Sequence, residues 1–130
     1  MLVADVAAAA PGYLARFGYV ERTGVIHDPT QTAHVQFLHR PGEPFYLELV
    51  APDGPQSKLA NALAKGGGLH HVCHSTPDID AAVAHLRAQQ MLLVLKPTPA
   101  VAFDGRRIAW LAGRDRLLLE LVERGPEGSL

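Results

Sequence analysis

At 130 residues and 48% hydrophobic composition, the chain fits one domain with a continuous core. A formal net charge of −1 and a pI near 6.6 give no electrostatic pull toward nucleic acid or an anionic membrane. No apolar run approaches the ~20 residues that span a bilayer, the amino terminus lacks the basic start and apolar core of a signal peptide, and the lone Cys73 rules out a disulfide framework, so the cytoplasm is the simplest compartment.

In chain order, Asp5 caps a helix running toward Phe17, with Pro11-Gly12 forcing a kink or restart. Residues 19 to 26, 33 to 38 and 45 to 50 read as strands. A connector over 55–68 carries a turn, a short helix from Gln56 to Lys65 and a glycine hinge. The run GLHHVCHST reads as a strand, after which Thr76 is the expected N-cap and Pro77 the first helical residue of a helix from about Asp78 to Gln90. Strands over 92–96, 106–111 and 117–123 follow, and residues 125–130 are an expected frayed tail.

The second half repeats the first. Asp5 falls on Asp78 and Phe37 on Trp110 with an offset of 73, and FYLELVAP falls on LLLELVER with an offset of 72, so Glu48 meets Glu120. Two tandem copies of one strand–helix–three-strand unit are expected, module one over 1–54 and module two over 69–124. Alternation along AHVQFL separates Val35 and Phe37 from His34 and Gln36. With the apolar pair placed under the helix, His34 and Gln36, and by repetition Arg107, are expected on the opposite, concave face. Glu48 and Glu120 are carboxylates in apolar strands, a costly placement unless they are paired or bind a metal. On the strand before the second helix, His71, Cys73 and Ser75 share a face.

With HHVCHSTPDID opening the second copy and ELV closing each, the pattern resembles the vicinal oxygen chelate superfamily, with its closest likeness to methylmalonyl-CoA epimerases. The resemblance covers nearly the whole chain. It implies an α+β fold of two tandem βαβββ modules forming a cupped mixed sheet, and a divalent cation held by Glu48, His71 and Glu120. The counterpart of His71 in module one would fall three residues before Met1, so the first strand of that module is expected to be truncated, on a natural chain that starts further upstream. Where related epimerases carry an acidic residue near the start of the third strand, Thr30 and Thr32 stand here.

The implied function is a metal-dependent epimerase, isomerase or lyase acting on a proton beside a carbonyl or thioester. The ion is Mn²⁺, Co²⁺, Fe²⁺, Zn²⁺ or Ni²⁺, and an acyl-CoA is a candidate substrate. Glu48 and His34 are the candidate bases, and Gln36 and Arg107 the candidate substrate-binding residues. Blander readings stand beside these: His71 as a satisfied strand-start histidine, the two glutamates as partners of surface arginines, Arg106 and Arg107 as a solvated strand end, and Cys73 as a small core residue. The alternatives are a metal-free small-molecule-binding protein and an iron-dependent dioxygenase. A homodimer is the expected assembly, since an incomplete first strand leaves an edge to cover.

Overall fold

Asp5 and Asp78 do the same work in their respective halves. Each sits in extended backbone, and its carboxylate accepts the N–H three residues on, from Ala8 at 2.8 Å and Ala81 at 2.9 Å. The helices that follow are α1 (Val6–Phe17) and α3 (Ile79–Ala88). Between them lies the short α2 (Ala60–Ala64) of the connector. The computed structural model describes residues 1–130 and divides into two compact units, Met1–His70 and His71–Leu130.

In the first unit β3 (Ala33–His39) pairs antiparallel on one side with β4 (Tyr46–Pro52). On the other side it pairs with two short pieces, β1 (Val20–Glu21) and β2 (Ile26–Asp28). The strand expected over 19–26 is interrupted for a local reason. Thr23 Oγ1 takes the Phe37 N–H at 3.0 Å, while the Phe37 carbonyl accepts from both Arg22 N and Thr23 N. The ladder is bulged there rather than continuous.

Residues 1–3 lie parallel to β4, with Val3 N donating to Val50 O and Val50 N to Met1 O, both at 2.9 Å. Leu2 also exchanges two bonds with Gly68. This approach needs the glycine hinge: Gly67 has φ +62, and a Cβ there would stand 2.8 Å from the Leu2 carbonyl oxygen.

In the second unit the sheet order is β5 (Val72–Thr76), β8 (Leu118–Glu123), β7 (Arg107–Ala112), β6 (Leu92–Pro99). The β5–β8 pair is parallel and the others antiparallel. A short 3₁₀ turn, Val101–Phe103, links β6 to β7. Each unit is therefore a βαβββ-type module, and the protein is α+β with two sheets.

Three local expectations are corrected. The N-cap of α3 is Asp78 rather than Thr76, because the carboxylate reaches the Ala81 N–H, and Pro77 precedes the cap. The connector helix begins at Ala60 rather than Gln56, because Ser57 and Lys58 are committed to Thr32: Ser57 Oγ donates to its carbonyl at 2.6 Å and Lys58 N to its hydroxyl at 2.9 Å. Helix α1 is not restarted at Pro11 but runs through it to Gly18, whose left-handed φ of 70 closes it.

The cores show which sheet faces the helices cover. Val6 and Ala10 pack on Leu38, Leu49 and Ala51, and at the matching stations Ile79 and Val83 pack on Ala109, Leu111, Leu119 and Leu121. Directly paired residues of a ladder share a face. The pairs His34–Ala51, Gln36–Leu49 and Leu38–Leu47 therefore lie under α1, and Val35–Val50 and Phe37–Glu48 lie on the other face. This reverses the expected facing of His34 and Gln36. The window AHVQFL is apolar on both sides once Leu38 is counted, and the helix docks on the side that β4 supplies with Leu47, Leu49 and Ala51. Arg107 likewise shares the helix-covered face with Ala109 and Leu111.

Candidate functional site

Glu120 sits mid-strand in β8 and is only 3% exposed. Its ladder neighbours are Trp110 on β7 and Cys73 on β5, so it projects from the face that α3 leaves bare. Two positions before Cys73 on the same strand line is His71, whose Nε2 lies 3.5 Å from Glu120 Oε2. Both side chains are buried, and the His71 ring meets the Trp110 ring edge-on with centroids 4.7 Å apart. A buried carboxylate is tolerable only with a partner, and His71 is one. At 3.5 Å the contact is longer than a good hydrogen bond, a spacing that two ligands aimed at a shared ion would also have.

Glu48 holds the equivalent station in the first unit, mid-strand in β4 across from Phe37 as Glu120 is across from Trp110. Its carbonyl oxygen accepts from the Met1 amino group at 2.6 Å. Burial lowers the proton affinity of that amine, and the Glu48 charge works against the lowering. Phe37 and Trp110 were paired by the duplication but not singled out in the sequence as site residues. The signal was the aromatic at the same register in both copies.

The other candidates lie elsewhere. His34 is on the opposite face of β3 from the side shared by Phe37 and Glu48, with its ring 4.8 Å from that of His27. Gln36 is buried and donates from Nε2 to the Thr23 carbonyl at 3.0 Å, tying down the β1–β2 interruption. Arg107 is engaged by Glu123, to which it donates from Nε at 2.8 Å and from its backbone N at 2.9 Å, and by Asp80 at 3.0 Å through Nη2. The Glu123 hydrogen bonds, then Asp80, raise the guanidinium pKa, and Arg107 in turn holds Glu123 below the usual carboxylate value. His34, Gln36 and Arg107 thus lie on the helix-covered faces rather than on the expected concave face. Cys73 is exposed rather than a core residue. The acid nearest the start of β3 is buried Asp28, whose Oδ1 takes the N–H groups of Thr30 and Gln31. No helix is long and apolar enough to cross a membrane.

Residues 1–110 match the family model described as glyoxalase/bleomycin resistance protein/dioxygenase superfamily. Among curated proteins the chain is similar to the mitochondrial methylmalonyl-CoA epimerase of Dictyostelium discoideum. The two are 34% identical over 82 residues, which is 60% of this chain and about half (49%) of that protein's length. It is also similar to the ethylmalonyl-CoA/methylmalonyl-CoA epimerase of Cereibacter sphaeroides, 30% identical over 87% of this chain and 84% of that one. Among solved structures, a variant of the Streptomyces coelicolor methylmalonyl-CoA epimerase in complex with 2-nitronate-propionyl-CoA superposes with a TM-score of 0.81. It is 27% identical and covers 96% of this chain and 90% of its own. The repeated module, the paired glutamate stations and these matches agree: the chain belongs to the glyoxalase/bleomycin resistance protein/dioxygenase superfamily.

Proposed function

We propose that this protein is a metal-dependent epimerase that removes and returns the proton at C2 of a 2-substituted acyl-CoA, beside the thioester carbonyl. The observation that carries the reading is the buried His71–Glu120 pair, set at the station that Glu48 repeats in the other module. The likeness to epimerases of methylmalonyl-CoA and ethylmalonyl-CoA supplies the substrate class.

The donor set fits a divalent ion: one imidazole and two carboxylates suit Mn²⁺, Co²⁺, Fe²⁺, Zn²⁺ or Ni²⁺. His71, Glu120 and Glu48 are the proposed ligands. A divalent ion held there supplies Lewis-acid stabilisation for negative charge on a carbonyl oxygen. The remaining work belongs to the chain. Trp110 packs on the His71 ring and restricts its orientation. Phe37 and Trp110 give the glutamate stations ring neighbours rather than polar ones, so water competes less for the carboxylates. Glu48 is also the proposed proton acceptor at C2, taking over from a list of bases that included His34, which the sheet places on the other face.

The test is solvent exchange. With one epimer of methylmalonyl-CoA in D₂O, the full chain loaded with Mn²⁺ or Co²⁺ should place deuterium at C2 and give both epimers, read by mass spectrometry and chiral analysis. Glu120→Gln and His71→Gln should each slow exchange by roughly 100-fold, since ligand and supporting groups commonly carry effects of 10–100-fold or more. Absence of exchange by protein shown to hold the ion would overturn the proposal.

A further inference from the structure

Two imidazoles meet within the first unit. His27 on β2 and His34 on β3 are direct cross-strand partners, so their side chains leave the sheet on one face. Their rings stand 4.8 Å apart, tilted by 38°. His27 Nε2 is 3.0 Å from Asp53 Oδ2. An ionised carboxylate only accepts, so Nε2 carries the proton of that bond and Nδ1 keeps its lone pair. Carboxylate to imidazole N–H is the contact by which metal-ligating histidines are oriented and made better donors to the ion. The His27 side chain is about half exposed and His34 is partly buried, so the pair is reached from the His27 side.

Asp53 is held there at a conformational cost. Thr32 has φ 56, a left-handed backbone that a β-branched residue rarely adopts. Its carbonyl accepts from Asp53 N at 3.1 Å and Ser57 Oγ at 2.6 Å, and its hydroxyl accepts from Lys58 N at 2.9 Å. From the other side, Asp28 Oδ1 fixes the N–H groups of Thr30 and Gln31 at 3.0 Å each. Strain of this kind persists where the surroundings over-determine it. Here the surroundings include the turn that sets Asp53 beside His27.

We propose that His27 and His34 form a surface site for a divalent ion that favours imidazole, namely Zn²⁺, Ni²⁺ or Cu²⁺, with Asp53 as the carboxylate that orients His27. Two protein ligands leave the other positions to solvent, so binding is weak and exchange fast. None of the three residues belongs to the set of Glu48, His71 and Glu120, and the two proposals stand or fall apart.

The experiment is a Zn²⁺ titration of the full chain, ¹⁵N-labelled at histidine, in a His71→Gln background that silences the other proposed centre. The imidazole signals of His27 and His34 should shift continuously and together, following one binding curve for one ion per chain. His27→Gln, at an exposed position where misfolding is least expected, should abolish the shift at His34, and His34→Gln should abolish the shift at His27. Asp53→Asn should weaken binding by roughly 10-fold while leaving both rings in place. The proposal is overturned by rings that respond independently, by no response up to millimolar Zn²⁺, or by Asp53→Asn binding as tightly as its parent. Circular dichroism of each variant separates lost binding from lost fold.

Discussion

Glu120 and His71 set a stability question that does not depend on catalysis. Taking His71 away removes one polar partner of the buried Glu120 carboxylate, so His71→Leu should cost about 2 kcal/mol in metal-free protein. Replacing both by leucine should recover part of that loss, since the buried carboxylate is then gone as well. Urea unfolding of the two variants checks this, and a double variant as unstable as the single one would mean that the pair is not the source. Arg107 makes the opposite case. It is paired with Glu123 and Asp80, and Glu123 is the group whose pKa it depresses. A carboxylate whose folded pKa is lowered stabilises the fold above its unfolded value, and that stability is lost as pH falls through the folded value. Thermal stability should therefore drop as pH goes below about 4.5, the ordinary carboxylate value for Glu123. Arg107→Leu should flatten that slope and leave KM for an acyl-CoA unchanged; a raised KM would return Arg107 to substrate binding.

Among the elements, the duplicated caps offer a matched pair of measurements. Asp5→Ala and Asp78→Ala each remove one carboxylate-to-N–H bond at a helix start, and each should cost about 1 kcal/mol. Values that differ by several-fold would show that the two modules do not use their caps alike. The caps also show what could be read from residues alone. The repeat pairs Asp5 with Asp78, yet residues alone point to Thr76 as the second cap; the stations of Glu48 and Glu120 are legible, because charge inside an apolar strand stands out against its neighbours. The facing of β3 was not visible. Residues 33 to 38 carry apolar side chains on both sides, and only the register with Leu47, Leu49 and Ala51 shows which side the helix takes. The expected concave facing of His34, Gln36 and Arg107 fails through that single inversion. The break between β1 and β2 depended on the Thr23 hydroxyl taking a ladder N–H, which no periodicity records.

For the molecule as a whole, the proposed ligand set is Glu48, His71 and Glu120. An ion bound only by the folded protein adds RT ln(1 + [L]/Kd), about 2.7 kcal/mol at a hundredfold excess over Kd. Loading with Mn²⁺ or Co²⁺ should raise the melting temperature, while His71→Gln should not respond to the ion. Differential scanning calorimetry with and without chelator reads the shift, and a melting temperature that ignores the ion would mean that the three residues do not bind it. Family membership was legible from the repeat and its flanking motifs, and the comparisons bear it out. Substrate was less legible, since chemistry at C2 is written in donors common to many reactions.

Cys73 has a practical meaning beyond its correction from core to surface. It is the only thiol in the chain, it is exposed, and it stands directly across the β5–β8 ladder from Glu120. A maleimide dye can therefore be attached to the unaltered protein at a single defined point one strand away from a proposed ligand. Occupancy of that neighbourhood, by ion or by acyl-CoA, then becomes an optical signal.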